Sequence, residues 1–190
     1  MKDRDDLLKK RLILFVSFTI ILGWGVFLLI PFSGLTYGEG SSVIILAVAM
    51  FVPAVSSLLV RLITKEGYKN MYLRPNFKGH FKEYLLVFFG PSILLLVSGI
   101  VYFLVFPEMF DPELTAINSL LANGPMGVSP VNMVIIPILL IIITGPVINV
   151  IPTMGEELGW RGYLLPKLRQ LLPDQVALVI TGVVWGIWHL

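Results

Sequence analysis

Long apolar runs alternate along this chain with short charged segments. Four runs are continuous: Leu12 to Ile30, Val43 to Leu59, Leu85 to Phe106 and Val131 to Ile151. A fifth begins near Gln175 and reaches the last residue. A helix needs about 20 apolar residues to cross the hydrocarbon core of a bilayer. None of the runs alternates apolar and polar positions, as a lipid-facing β-strand would. Backbone groups in lipid must be hydrogen-bonded within the structure, so continuous runs are read as helices. The pattern predicts an all-α fold, a polytopic integral membrane helical bundle of about five spans. It also predicts two regions. Residues 1–130 hold N-terminal spans and loops, and residues 131–190 form a core in which charges reappear inside apolar sequence.

Composition narrows the class. Hydrophobic residues make up 56% of the 190 and charged residues 14%, with a mean hydropathy of +0.88. Soluble domains carry about 25% charged residues. The net charge of +2 is small and no basic patch is interleaved with exposed aromatics, which excludes a nucleic-acid partner and leaves the lipid bilayer. Cysteine is absent, so disulfides and thiolate metal sites are excluded. The opening MKDRDDLLKKR precedes a run too long for a signal-peptide core, so it reads as the lead into a retained first span.

Loop charge sets the expected orientation. Lys2, Arg4, Lys9, Lys10 and Arg11 precede the first span, and Arg61, Lys65, Lys69, Arg74, Lys78 and Lys82 lie between the second and third. The connections Pro31 to Ser42 and Pro107 to Pro130 hold neither Lys nor Arg. Basic loops stay cytoplasmic, so the N-terminus is expected in the cytoplasm of a multi-pass plasma-membrane protein. Thr64 to Glu83 mixes lysines with Tyr68, Tyr72, Phe77 and Phe81 and reads as a basic cytoplasmic loop. His80, within it, is given no role, and Asp111 and Glu113 read as solvated on the opposite side.

The stretch Val131 to Leu165 is too long for one upright span, and Pro146 and Pro152 predict a break or kink within it. Beyond it, Leu171 to Asp174 reads LLPD, the tip of an antiparallel hairpin. Centred at 172.5, that tip puts Glu156 and His189 the same 16.5 residues away on opposite arms. At about 1.5 Å per residue both lie roughly 25 Å from the tip, and Arg161 comes level with Val184 and Trp185. A charge at mid-bilayer costs between ~2.5 and ~17 kcal/mol, so ionisable residues there read as functional and should face the bundle interior with partners. Glu157 and Arg161 are four apart and can pair on one helix face. Glu156 points elsewhere, and a carboxylate opposite an imidazole can hold and activate a water. The competing bland reading is a solvated EExxxR surface helix. Trp185 and Trp188 read as packing or interface residues.

These residues resemble a known family. Glu156-Glu157-x-x-x-Arg161 followed by Gly162-Tyr163-Leu164-Leu165-Pro166 is similar to the first motif of the CPBP intramembrane proteases, which include CAAX prenyl proteases and the bacterial bacteriocin-processing and self-immunity (Abi-like) proteins. Trp185-Gly186-Ile187-Trp188-His189 resembles the second motif, with Trp where Phe is usual. The resemblance covers about 154 to 190. It implies an intramembrane endopeptidase acting on a peptide or membrane-tethered protein, with Glu156 activating water aided by His189, and with Glu157, Arg161 and Trp185 in support. Cofactor need is left open between none and a divalent metal such as zinc. No metal ligand is assigned, and a metal-dependent mechanism would use Glu156 and His189. The family's further histidine and asparagine, thought to stabilise the oxyanion, lie on later helices. The chain ends at Leu190, so it reads as a C-terminally truncated member expected to lack those donors. Two other classes compete: a non-catalytic membrane protein such as a bacteriocin self-immunity factor, and a transporter. A transporter of inverted repeats would show paired half-sequences, which are not visible.

Overall fold

The computed structural model describes residues 2–71, 73–121 and 129–190; Tyr72 and part of the connection before Pro130 lie outside the described residues. All regular structure among them is helical: α1 (Lys2–Phe32), α2 (Ser42–Ala49), α3 (Val52–Ile63), α4 (Phe81–Val105), α5 (Thr115–Leu121), α6 (Pro130–Gly159), α7 (Leu165–Leu168) and α8 (Asp174–Trp188). A 3₁₀ turn occupies Pro107–Met109, and a π turn, Trp160–Leu164, joins α6 to α7. Four stretches are long and apolar enough to cross a membrane: Lys2–Phe32, Ser42–Ile63, Phe81–Val105 and Pro130–Leu168. The fifth apolar helix, α8, has 15 residues. The chain is an all-helical, multi-pass membrane protein.

The second apolar run is two helices rather than one. Met50 and Phe51 separate α2 from α3, and Pro53 sits in the first turn of α3, where a missing N–H breaks no helical bond. The expected interruption at Pro146 and Pro152 does not occur, since α6 runs helically through both. Each proline deletes one N–H, a loss that membrane helices tolerate. Polar side chains in this stretch bond back one turn, Thr144 Oγ1 donating to the Leu140 carbonyl at 2.7 Å and Asn149 Nδ2 to Gly145 at 2.8 Å. The departure from α geometry comes later, at Trp160–Leu164.

That π turn has a geometric consequence. In an unbroken α-helix, residues seven and eleven apart point within about 20° of each other. Tyr163 and Lys167 would then share the direction of Glu156. The extra residue of a π turn rotates everything after it. Glu156 therefore faces α8, while Tyr163 and Lys167 face the segment after α3.

The chain divides into two compact units, residues 75–149 and residues 1–74 with 150–190. The first holds α4, α5 and the start of α6, with aromatic pairs along α4 and beyond it: Tyr102 with Phe106 at 5.2 Å and Phe103 with Phe110 at 5.3 Å between ring centroids. The second holds the buried core. Phe15, Val60, Trp160, Tyr163, Leu164 and Trp188 are its most enclosed members, and Phe15 meets Trp160 edge-on at 5.8 Å. Around them sit small buried residues: Thr19, Ser42, Ala49, Ser56, Ser57, Gly155, Gly159 and Ala177. Lipid tails are as apolar as leucine, so helices in a bilayer associate through close van der Waals contact, which small residues permit.

Gly155 and Gly159 bring α6 against the α2–α3 joint. A Cβ at Gly155 would lie 2.7 Å from Phe51 Cδ1 and 3.0 Å from the Met50 carbonyl, and one at Gly159 would overlap the backbone of Pro53. Backbone cannot swing aside as a side-chain tip can. Gly159→Ala should therefore destabilise the fold by about 1–3 kcal/mol, the usual cost of overpacking. Thermal unfolding in detergent micelles measures this, and an unchanged midpoint would mean the helices are not held this closely.

Candidate active site

The loop of the hairpin determines which residues of its arms meet. Leu168 accepts backbone bonds from Leu171 and Leu172, and Pro173 precedes the first turn of α8. Arg169, outside the spans, bonds Asp174 through Nε at 2.9 Å and again through Nη2. Across the arms, Glu156 Oε1 lies 4.0 Å from His189 Nε2. Farther toward the tip, the Arg161 guanidinium lies 5.3 Å from the centre of the Trp185 ring. All of these residues belong to the 1–74 and 150–190 unit.

Glu156 is the enclosed member, with a side chain 12% exposed against 47% for His189. Its carboxylate accepts a hydrogen bond from the Trp185 indole N–H at 2.5 Å. His189 is the C-cap of α8, where helix carbonyls lack their usual partners. Its backbone N–H turns to Gly186, and its ring Nδ1 lies 2.9 Å from the Trp185 carbonyl. A carbonyl only accepts, so Nδ1 carries a proton, an arrangement that in the neutral tautomer leaves the Nε2 lone pair facing Glu156. The edges of Trp185 and Trp188 fix the imidazole plane, at 5.1 Å and 4.6 Å between centroids.

A separation of 4.0 Å is too long for a hydrogen bond but suits a water bonded to both atoms at about 2.8 Å each. Glu157 and Arg161 form their pair at 2.8 Å, half-exposed on the same helix face. Through the cation–π contact with Trp185, that pair reaches the indole that holds Glu156. The structure thus brings all five sequence-predicted residues into one chain of contacts: Glu157, Arg161, Trp185, Glu156 and His189.

Zinc in catalytic sites takes three protein ligands, with water in the fourth position. Glu156 and His189 supply two donors, and no group of three or more His, Cys, Asp or Glu exists among the described residues. This donor set falls short of a catalytic zinc site.

A second ionic cluster had no signal in the sequence beyond one acidic residue among basic neighbours. Glu66, just after α3, is bonded by Lys167 and accepts from the Tyr163 hydroxyl at 3.0 Å. Arg11 approaches it at 3.4 Å and Arg61 at 3.8 Å. Arg61 is almost wholly buried and also bonds the carbonyls of Gly67 and Lys69 at 3.0 Å and 3.2 Å. Burial raises the Glu66 pKa, but Lys167, Tyr163 and Arg11 outweigh it and hold the carboxyl below the ordinary glutamate value. The cluster ties α1, α3 and α7 together. His80, Asp111 and Glu113 take no part in either site. Asp111 caps the turn before α5, accepting from Thr115 N and Oγ1 at 2.6 Å each.

Residues 130–190 match the family model described as Type II CAAX prenyl endopeptidase Rce1-like, consistent with the CPBP family. The matched segment contains both motifs. No curated protein matches the chain, and no solved structure does.

Proposed function

We propose that this chain is an intramembrane endopeptidase of the CPBP type, cleaving a peptide or a membrane-tethered protein by a glutamate-activated water. The observation that carries the reading is the pairing of an enclosed carboxylate on a candidate membrane span with an oriented imidazole at the end of the apolar helix α8, 4.0 Å apart. Water held between Glu156 Oε1 and His189 Nε2 loses a proton to Glu156 as its oxygen attacks the scissile carbonyl carbon. Glu156 returns that proton to the amine nitrogen as the C–N bond breaks. The products are one carboxylate terminus and one amine terminus. The imidazole orients the water through its lone pair. Trp185 holds Glu156 in place, and the Glu157–Arg161 pair supports Trp185. The basic segments at the start of α1 and after α3 favour a cytoplasmic N-terminus in the plasma membrane.

His189→Gln tests the reading. Glutamine retains a polar tip but not the ring lone pair in this position. Cleavage of a reporter peptide by the purified, membrane-reconstituted protein should fall by about 10²-fold or more, the range for losing a group that handles the water proton. Cleavage unchanged in this variant would overturn the mechanism. A rise in KM without change in kcat would instead assign His189 to substrate binding.

A further inference from the structure

His189 is the C-cap of α8, and its ring faces Glu156 across the hairpin. What steadies that end comes from the other end of the sequence. Trp24, in the middle of α1, donates its indole N–H to the Ile187 carbonyl at 3.2 Å, a bond spanning 163 residues. Ile187 O is one of the last carbonyls of α8 and otherwise receives only the Leu190 N–H at 3.3 Å. One residue earlier in α1, Gly23 forms a hollow that receives the Trp188 indole. A Cβ at Gly23 would overlap the Trp188 Nε1 and come within 2.7 Å of its Cδ1. Trp188 is 1% exposed and wedged against Phe27 at 5.2 Å and Trp160 at 5.9 Å between centroids. Its other neighbour is the His189 ring, 4.6 Å away and nearly perpendicular.

We infer that α1 is the positioning element of the site: Trp24 and Gly23 seat the last turn of α8 and so fix the His189 imidazole toward Glu156. Residues 23 and 24 lie outside the segment that matches the protease family model, 130–190. Neither touches the reacting atoms, so both are positioning residues. Trp24 fixes the backbone of the turn, and Gly23 sets the depth of Trp188 and through it the plane of the imidazole. The inference rests on the proposed role of His189 for its effect on catalysis, but not for its effect on the ring itself.

The test uses the full chain with ¹⁵N-labelled histidine in detergent micelles, with His80→Gln in the background to leave one histidine signal. In the parent protein, the His189 nitrogen shifts should report a proton on Nδ1. Trp24→Phe keeps an aromatic ring but removes the N–H together with the five-membered part of the indole. Gly23→Ala pushes Trp188 outward. Both should broaden or shift the His189 resonances, move the pH at which the ring titrates, and lower kcat with KM nearly unchanged. The expected loss in kcat is about fivefold for Trp24→Phe, the worth of one hydrogen bond, and about 10²-fold for Gly23→Ala, as for a misplaced catalytic group. Leu28→Ala, on a side chain of α1 that is half-exposed, controls for general loosening of the helix and should leave the His189 signals in place. If Trp24→Phe is folded and the His189 shifts and titration match the parent, the inference is overturned, whatever Gly23→Ala does. If the parent protein cleaves nothing but both variants disturb the His189 signals, the positioning role stands and the protease reading fails.

Discussion

Glu156→Gln should reduce peptide cleavage by about 10²- to 10⁴-fold while leaving the fold at least as stable as before. That is the usual worth of a general base. Glutamine has the size of glutamate, and its carbonyl oxygen can still accept the Trp185 N–H. The substitution therefore keeps the shape and the hydrogen bond seen at 2.5 Å and removes only the ability to take a proton. Removing a charge from an enclosed position in a membrane helix also relieves a desolvation cost. Loss of activity with preserved thermal stability separates chemistry from structure. Steady-state cleavage of a reporter peptide and thermal unfolding of the same preparation measure the two quantities. If the variant cleaves within a factor of three of the parent, Glu156 is not the base.

Glu66→Gln should have the largest effect on stability, about 3 kcal/mol of destabilisation. Breaking a buried ion pair by removing one partner costs about 3–5 kcal/mol because the other charge is left uncompensated. Here the remaining charges are Arg11 from α1, Arg61 from α3 and Lys167 from α7, with Tyr163 beside them. The Glu66 and Arg11 side chains keep 15% and 17% of their exposure, which places the value at the lower end of that range. The acid dependence follows in sign. The folded-state pKa of Glu66 is below its unfolded value. Its contribution is fully present above the unfolded value of about 4.3 and is lost as pH falls through the folded value. Stability of the parent should therefore decline with acid below about pH 4 more steeply than that of Glu66→Gln. Parallel declines in the two proteins would show that Glu66 is not held as a stabilised carboxylate.

Much of the fold was legible because membrane insertion is a property of composition. The apolar runs from Leu12, Leu85 and Val131 each lie within a helix of the structure, because a backbone in lipid has few other ways to satisfy its hydrogen bonds. The second run was read as one helix but is two, since a joint at Met50 and Phe51 leaves hydropathy unchanged. Pro146 and Pro152 predicted a break or a kink, and α6 is not broken at either, because a helix in lipid gains more from staying hydrogen-bonded than it loses at their two missing N–H groups.

The candidate site was legible to a different degree. Its residues stood out as charges in apolar sequence, and distances counted from Pro173 bring Glu156 opposite His189, since rise per residue is fixed in both arms. Nothing local marked Glu66, Gly23 or Trp24. Glu66 meets Tyr163 97 residues away and Trp24 meets Ile187 163 residues away, and the side chains involved are ordinary for their segments. The π turn at Trp160–Leu164 was equally invisible, yet it decides that Glu156 turns to α8 while Tyr163 and Lys167 turn to Glu66.

The chain by itself determined its class and its apolar spans, because these depend on hydropathy and on length along a helix. Only the tertiary structure decided which side chains touch. That depends on the rotation of each helix about its own axis, which one inserted residue in a turn, or one glycine against an indole, is enough to set.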